Sequence, residues 1–158
     1  MKESLDTVDI DSLAVFPSNY TVPLDRLAQH AQTLVGKIAV HELPHVEELV
    51  LDGQTWVAFY LSFEQDHTGK IFVRGEVRAT LSVECQRCCQ PMKLSLEAKT
   101  RLVVVDEDGA DELEGDDEPL ILTGEPIKLG QMIEEEILLQ MPLIPRHADD
   151  ACEWVYQQ

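Results

Sequence analysis

Residues 71–85, IFVRGEVRATLSVEC, carry the clearest pattern in the chain, an alternation of apolar and mostly polar positions with a period of two. Such an alternation is typical of a β-strand with one buried face. After a turn at 86–91, the same alternation resumes over residues 92–104. The positions predicted to face the core are Ile71, Val73, Gly75, Val77, Ala79, Leu81, Val83 and Cys85, then Met92, Leu94, Leu96, Ala98, Leu102 and Val104. The pattern predicts a long β-hairpin with a cysteine pair at its tip.

Weaker patterns predict the elements on either side of this hairpin. Apolar residues at helical spacing predict one helix over Val22–Gly36 and a second over Leu129–Met141, which ends at Pro142. Two strands, Val46–Leu51 and Gln54–Phe63, are expected to be joined by the turn dipeptide Asp52-Gly53. A short strand is expected at Pro119–Leu122. The predicted fold class is α+β, with a mainly antiparallel sheet built on the long hairpin and two short helices.

Length and composition define the general class of protein. A chain of 158 residues, 44% hydrophobic and 27% charged, is typical of one globular domain, here taken as residues 1–158. No apolar run approaches the length that a membrane span needs, and residues 1–10 are acidic where a signal peptide would be basic. We therefore expect a cytoplasmic protein without a membrane partner. In a reducing compartment, the four cysteines are expected to be free thiols or metal ligands rather than disulfides.

Charge is distributed unevenly along the chain. The formal net charge is −18, which argues against a DNA-binding protein because affinity for polyanions comes largely from Lys and Arg. Half of that net charge lies in the run 106–118, which holds nine acidic residues and no basic one. This run is expected to be a mobile, solvated loop, and it could alternatively hold a basic partner such as a ribosomal protein. Glu134, Glu135 and Glu136 are expected to form the polar face of the second helix.

The Cys85-Gln86-Arg87-Cys88 turn is the first candidate site. Two thiolates at this spacing can bind one zinc ion, and His147 with Cys152 would complete four ligands. The alternative is that these cysteines are ordinary core and turn thiols and that His147 lies on the surface. A thiol redox function is a third interpretation, but redox pairs of this kind usually begin a helix, whereas this pair follows a strand.

The hairpin itself is the second candidate site. It is locally basic, with seven of the chain's twelve basic residues against three acidic ones, for a local net charge of +4. These residues are Lys70, Arg74, Arg78, Arg87, Lys93, Lys99 and Arg101. A basic strand face can contact RNA phosphates. The alternative is an ordinary solvated face with ion pairs between strands.

Two segments together resemble a known family. Val83-Glu84-Cys85-Gln86-Arg87-Cys88 forms one segment, and the other runs from Ile133 through Met141-Pro142-Leu143-Ile144-Pro145-Arg146-His147 to Cys152. Their order and spacing resemble the YceD-like large ribosomal RNA subunit accumulation proteins. The matching positions are Cys85, Arg87, Cys88, Glu135, Pro142, Pro145, His147 and Cys152. Cys89 departs from the family pattern, where relatives more often carry glycine or an aliphatic residue.

The resemblance implies a non-enzymatic role in ribosome biogenesis. On that basis, we expect the protein to support accumulation of large-subunit (23S) rRNA by binding that rRNA or a precursor particle. The alternatives are an acidic escort for a basic ribosomal protein, and a thiol redox or zinc-binding protein.

Overall fold

The computed structural model describes residues 9–106, 115 and 117–147. Within these residues, the helices are α1 (Leu24–Gln29), α2 (Pro44–Glu47) and α3 (Leu129–Gln140). The strands are β1 (Thr33–Ala39), β2 (Trp56–Gln65), β3 (Ile71–Glu84), β4 (Pro91–Val105) and β5 (Glu118–Ile121). Short 3₁₀ turns cover Ile10–Ser12 and Val40–Glu42. None of the described helices is long and apolar enough to cross a bilayer.

The five strands form one sheet in the order β1-β2-β3-β4-β5. The first three pairings are antiparallel, and β5 runs parallel to β4. Helix α1 packs on β2 and β3, and α3 packs on β3 and β4. Both helices join the inward-facing strand residues in one apolar core. The predicted α+β class, with its mainly antiparallel sheet, is confirmed.

The long hairpin forms as its alternation predicts. Residues Phe72–Glu84 of β3 pair with Pro91–Val103 of β4 in register. Inward positions such as Val77 and Leu81 are fully buried, while outward neighbours such as Thr80 are exposed. The predicted short strand and the second helix also form, as β5 and α3.

Three predictions made for the N-terminal half are wrong. The first helix ends at Gln29, because Ala31 takes a left-handed φ of 47° and the chain then extends into β1. Gly36, the last residue of the predicted helix, lies inside β1, where the Phe16 ring would be 2.5 Å from an added Cβ atom. The strand predicted at Val46–Leu51 is replaced by α2, so Asp52-Gly53 does not join two strands.

Glycine is required at position 75 because two strands approach closely there. A Cβ atom at Gly75 would lie 1.8 Å from the carbonyl oxygen of Tyr60 on β2. The neighbouring Leu61 Cα would be 3.0 Å from it. Any side chain at this position therefore forces β2 and β3 apart in the middle of the sheet.

Helix α2 begins where Glu134 of α3 binds its backbone. The Glu134 carboxylate accepts hydrogen bonds from the N–H groups of His45 (2.9 Å) and Val46 (3.3 Å). Its second oxygen lies 2.7 Å from His45 Nδ1. Glu134 and Glu136 are buried, whereas Glu135 is exposed, so the expectation that all three form a polar helix face is wrong. The buried Glu134 satisfies α2 amides that a helix leaves unpaired at its start.

The first testable prediction concerns Gly75. Gly75→Ala should lower the free energy of unfolding by about 3 kcal/mol. The reason is that the added methyl group would collide with the Tyr60 carbonyl oxygen on β2. Gly53→Ala is the matched control, because an added Cβ atom there meets nothing closer than 3.4 Å. Urea unfolding followed by circular dichroism measures both variants. Equal stability of the two would show that β2 relaxes without cost.

The second prediction concerns the pH dependence of the His45–Glu134 contact. The hydrogen bond to Glu134 and the charge of that carboxylate raise the pKa of His45 above its usual 6.5. A raised pKa in the folded state means that this stabilisation is complete below 6.5 and is lost as pH rises through the folded-state value. His45→Gln should therefore reduce stability more at pH 5.5 than at pH 9.

Urea unfolding at the two pH values measures this difference, with His30→Gln at the exposed end of α1 as the control. A His45→Gln deficit that is the same at both pH values would contradict the prediction. It would mean that the neutral imidazole alone supplies the hydrogen bond.

Candidate metal centre and nucleic-acid interface

The turn at the hairpin tip holds the first two cysteines in place. The Cys85 N–H donates to the Gln90 carbonyl, and the Cys89 N–H donates to the Cys85 carbonyl, both at 2.9 Å. Cys89 takes a left-handed φ of 60°, which turns the chain back into β4. Cys85 and Cys88 are buried, and Cys89 is exposed. The turn thus directs two thiols inward and one outward.

The segment after α3 reaches this tip and adds a histidine. The Gln86 N–H donates to the Pro145 carbonyl at 2.8 Å, and the His147 N–H donates to Cys85 Sγ at 3.4 Å. His147 Nδ1 lies 3.5 Å from Cys88 Sγ. The potential ligand atoms of Cys85, Cys88 and His147 all lie within 4.8 Å of one another. The structure therefore brings together three of the four residues singled out in the sequence, and the fourth, Cys152, lies outside the described residues.

The surroundings of Cys85 favour the thiolate. Burial of the sulfur raises the pKa, but the backbone N–H groups of Cys88, His147 and Arg87 outweigh it and lower the pKa of Cys85 to about 5. The thiolate is the form of cysteine that binds metals. Two sulfurs and one imidazole nitrogen at this separation also match the donor types of structural zinc sites.

The outward face of the hairpin is charged, and its charges fall into two groups. The first is a network of Glu76, Arg78, Glu97 and Lys99, in which Glu76 faces Lys99 and Arg78 faces Glu97 across the strands. Lys99 Nζ lies 2.9 Å from Glu76 and 3.0 Å from Glu97, and Arg78 lies 3.4 and 3.3 Å from the same carboxylates. Hydrogen bonds to both carboxylates raise the pKa of Lys99. These four residues carry equal numbers of positive and negative charges.

The second group is Arg74 with Arg101, which face each other directly across β3 and β4. Asp117 Oδ1 lies 3.7 Å from Arg74 Nη2 and 3.5 Å from Arg101 Nε. The Arg74 guanidinium also lies 5.0 Å from the centre of the Phe72 ring. Both arginine side chains are about half exposed, at 45% and 50%. They therefore remain accessible from solvent.

The remaining predicted RNA contacts are spread along the hairpin. Lys93 Nζ donates to Ser82 Oγ at 2.8 Å, and Lys70 is exposed just before β3. Arg87 is half-buried in the turn between Cys85 and Cys88. The seven basic residues thus share a hairpin without forming one continuous cationic surface.

Sequence reasoning missed two carboxylates that shape this site. Glu76 is 5% exposed although it lies on the outward face, and Asp117 reaches the hairpin from the acidic run. The cross-strand register would have revealed Glu76, since it places that residue opposite Lys99. Glu136 is similarly buried, and burial together with the Glu118 carboxylate raises its pKa to about 7.

These features define a small α+β protein whose central hairpin carries a Cys-Cys-His cluster at its tip and a charged outward face. The family model described as "Large ribosomal RNA subunit accumulation protein YceD" matches residues 73–158. A curated protein of that name from Haemophilus influenzae is 34% identical over 129 residues, which cover 80% of this chain and 74% of that protein. The chain belongs to the YceD family, as its two sequence segments indicate. No solved structure matches it.

Proposed function

We propose that this protein is a non-enzymatic ribosome biogenesis factor that supports accumulation of large-subunit rRNA. The name of its Haemophilus influenzae relative, "Large ribosomal RNA subunit accumulation protein YceD", supports this process. The molecular act that we propose is binding of that rRNA, or of a precursor particle, through the outward face of β3 and β4.

The observation that carries this proposal is the exposed arginine pair beside an aromatic ring. Arg74 and Arg101 present two half-exposed guanidinium groups on the same face, and Phe72 lies next to Arg74. Guanidinium groups bind phosphate through several N–H donors at once, and aromatic rings can stack on unpaired bases. Local contacts of this kind are needed because a net charge of −18 repels RNA from most of the remaining surface.

This function predicts salt-sensitive binding that depends on the arginine pair. Arg74→Glu with Arg101→Glu should weaken binding of a large-subunit rRNA fragment about tenfold at low salt, and should flatten its salt dependence. Fluorescence anisotropy over a salt series measures both effects. Each single reversal, Arg74→Glu or Arg101→Glu, is compared with reversal of one exposed arginine on α1, Arg26→Glu, which changes the total charge by the same amount.

Sucrose-gradient sedimentation of cell lysate provides the corresponding test in cells. The parent protein should migrate with free large-subunit or precursor particles and lose that position after ribonuclease treatment. A protein that stays at the top of the gradient under all salt conditions, and binds no rRNA fragment, would contradict the proposal. That result would favour an acidic escort of a basic ribosomal protein.

We also propose that Cys85, Cys88 and His147 hold a structural zinc ion, with Cys152 as the fourth ligand. The proximity of the three potential ligand atoms and the lowered pKa of Cys85 support this assignment. The ion would tie the segment after α3 to the hairpin tip, in addition to the hydrogen bond between Gln86 and Pro145. Burial of Cys85 and Cys88 disfavours disulfide exchange with another protein, since both sulfurs are shielded from a partner.

Metal analysis of the purified protein tests the zinc proposal. Inductively coupled plasma mass spectrometry should find about one zinc ion per chain in the parent protein, and much less in Cys85→Ser and His147→Ala. Cys89→Ser is the matched control, since Cys89 is exposed and outside the cluster, and it should retain the metal. Parent protein that holds no zinc after incubation with it would show that these are ordinary turn thiols.

A further inference from the structure

The cross-strand position of Arg74 and Arg101 is electrostatically unfavourable unless an anion lies between them. Like charges directly opposite each other in an antiparallel pair destabilise the sheet. Elsewhere on the same face, the register sets opposite charges against each other, with Glu76 facing Lys99 and Arg78 facing Glu97. The arginine pair is therefore the position on this hairpin face where two basic residues meet across the strands.

Asp117 provides an anion that contacts both arginines, but with poor geometry. Its Oδ1 atom is 3.5 and 3.7 Å from the two guanidinium groups, and it accepts no hydrogen bond from any residue that the structure describes. The Asp117 side chain is only 17% exposed. A desolvated carboxylate oxygen that lacks a hydrogen bond is costly to maintain. The contact is thus an electrostatic one that a better acceptor can replace.

A phosphate group has the chemistry to be that acceptor. It carries several oxygens in a tetrahedral arrangement, so it can accept from both guanidinium groups at once, whereas the single Asp117 oxygen lies beyond hydrogen-bond distance of both. An incoming phosphate would break the ion pairs of Asp117 with Arg74 and Arg101. These ion pairs are weak, because the arginine side chains are about half exposed.

We propose that Arg74 and Arg101 form a binding site for an RNA phosphate group and that Asp117 occupies this site in the free protein. Asp117 acts as an internal competitor, which RNA must displace on binding. This inference rests on the proposed RNA-binding function and adds a specific subsite and its regulation. Displacement adds the same free-energy cost for every anion and so weakens each by the same factor, which leaves appreciable binding only to an RNA that makes additional contacts along the hairpin.

Removal of the competing carboxylate tests this proposal. Asp117→Asn keeps the size of the side chain and should tighten binding of a short stem–loop RNA about fivefold, the effect expected from loss of two weak ion pairs. Glu97→Gln is the charge-matched control, since it removes one carboxylate from the same face but from the other charge group. It should change the affinity much less.

A double-mutant cycle identifies the site itself. In a background that carries Arg74→Gln and Arg101→Gln, Asp117→Asn should no longer tighten RNA binding, because Asp117 acts through those two residues. An equal gain from Asp117→Asn in both backgrounds, or from Glu97→Gln and Asp117→Asn alike, would overturn the inference and indicate a general charge effect. In either case, RNA binding by the parent protein would leave the proposed function intact.

Two further outcomes distinguish the inference from the proposed function. Absence of RNA binding by the parent protein and by Asp117→Asn would overturn both. Tighter binding of poly-glutamate but not of RNA by Asp117→Asn would also overturn the inference, since the arginine pair would then receive an acidic protein segment. Circular dichroism of each variant confirms that the fold is retained.

Discussion

The antiparallel register between β3 and β4 is the constraint on which the other features of this protein depend. It joins thirteen residue pairs from Phe72↔Val103 to Glu84↔Pro91. A shift by one residue would move every apolar side chain to the opposite face of the sheet. The same register decides which charges meet across the strands and delivers Cys85 to the tip. Core, charged face and cysteine turn are thus three consequences of one pairing.

Helix α3 links the apolar core and the start of α2 to the cysteine turn at the hairpin tip. At its buried face, Ile133 and Ile137 join the core, and Glu134 binds the start of α2. Beyond its end, the chain continues to Pro145 and His147, which bond to the cysteine turn. Because α3 packs along β3 and β4, the segment that follows it can reach the hairpin tip. The histidine therefore joins the cysteines although 59 residues separate it from Cys88.

The parts of the fold that were predictable from the sequence are those with a long, uninterrupted period. The hairpin and α3 each repeat one pattern over many residues, so local sequence identifies them. The N-terminal half was mispredicted because its elements depend on distant contacts. Val46 is helical where Glu134 caps the α2 amides, and Gly36 lies in a strand against the Phe16 ring. No pattern within the local sequence contains either partner.

The residues of the candidate sites were also predictable only in part. The structure brings together Cys85, Cys88 and His147, which the sequence grouped as potential metal ligands, whereas the zinc ion itself stays a prediction. The basic residues were harder to interpret, since a sum of charges does not show which of them are paired. The register shows that Arg78 and Lys99 already have carboxylate partners on neighbouring positions, whereas Arg74 faces another arginine.

The protein carries a net charge of −18. For any function on RNA, it therefore matters which basic residues face a carboxylate across the strands and which do not. The long-range field of such a protein opposes a polyanion, so attraction must come from short-range contacts. A paired cation offers little, because its carboxylate partner repels phosphate as strongly as the cation attracts it. Arg74 and Arg101 instead face each other across the strands, with Asp117 Oδ1 at 3.7 and 3.5 Å from their guanidinium groups. Under the proposed function, the cross-strand register would therefore determine affinity for phosphate on this hairpin more than the number of basic residues does.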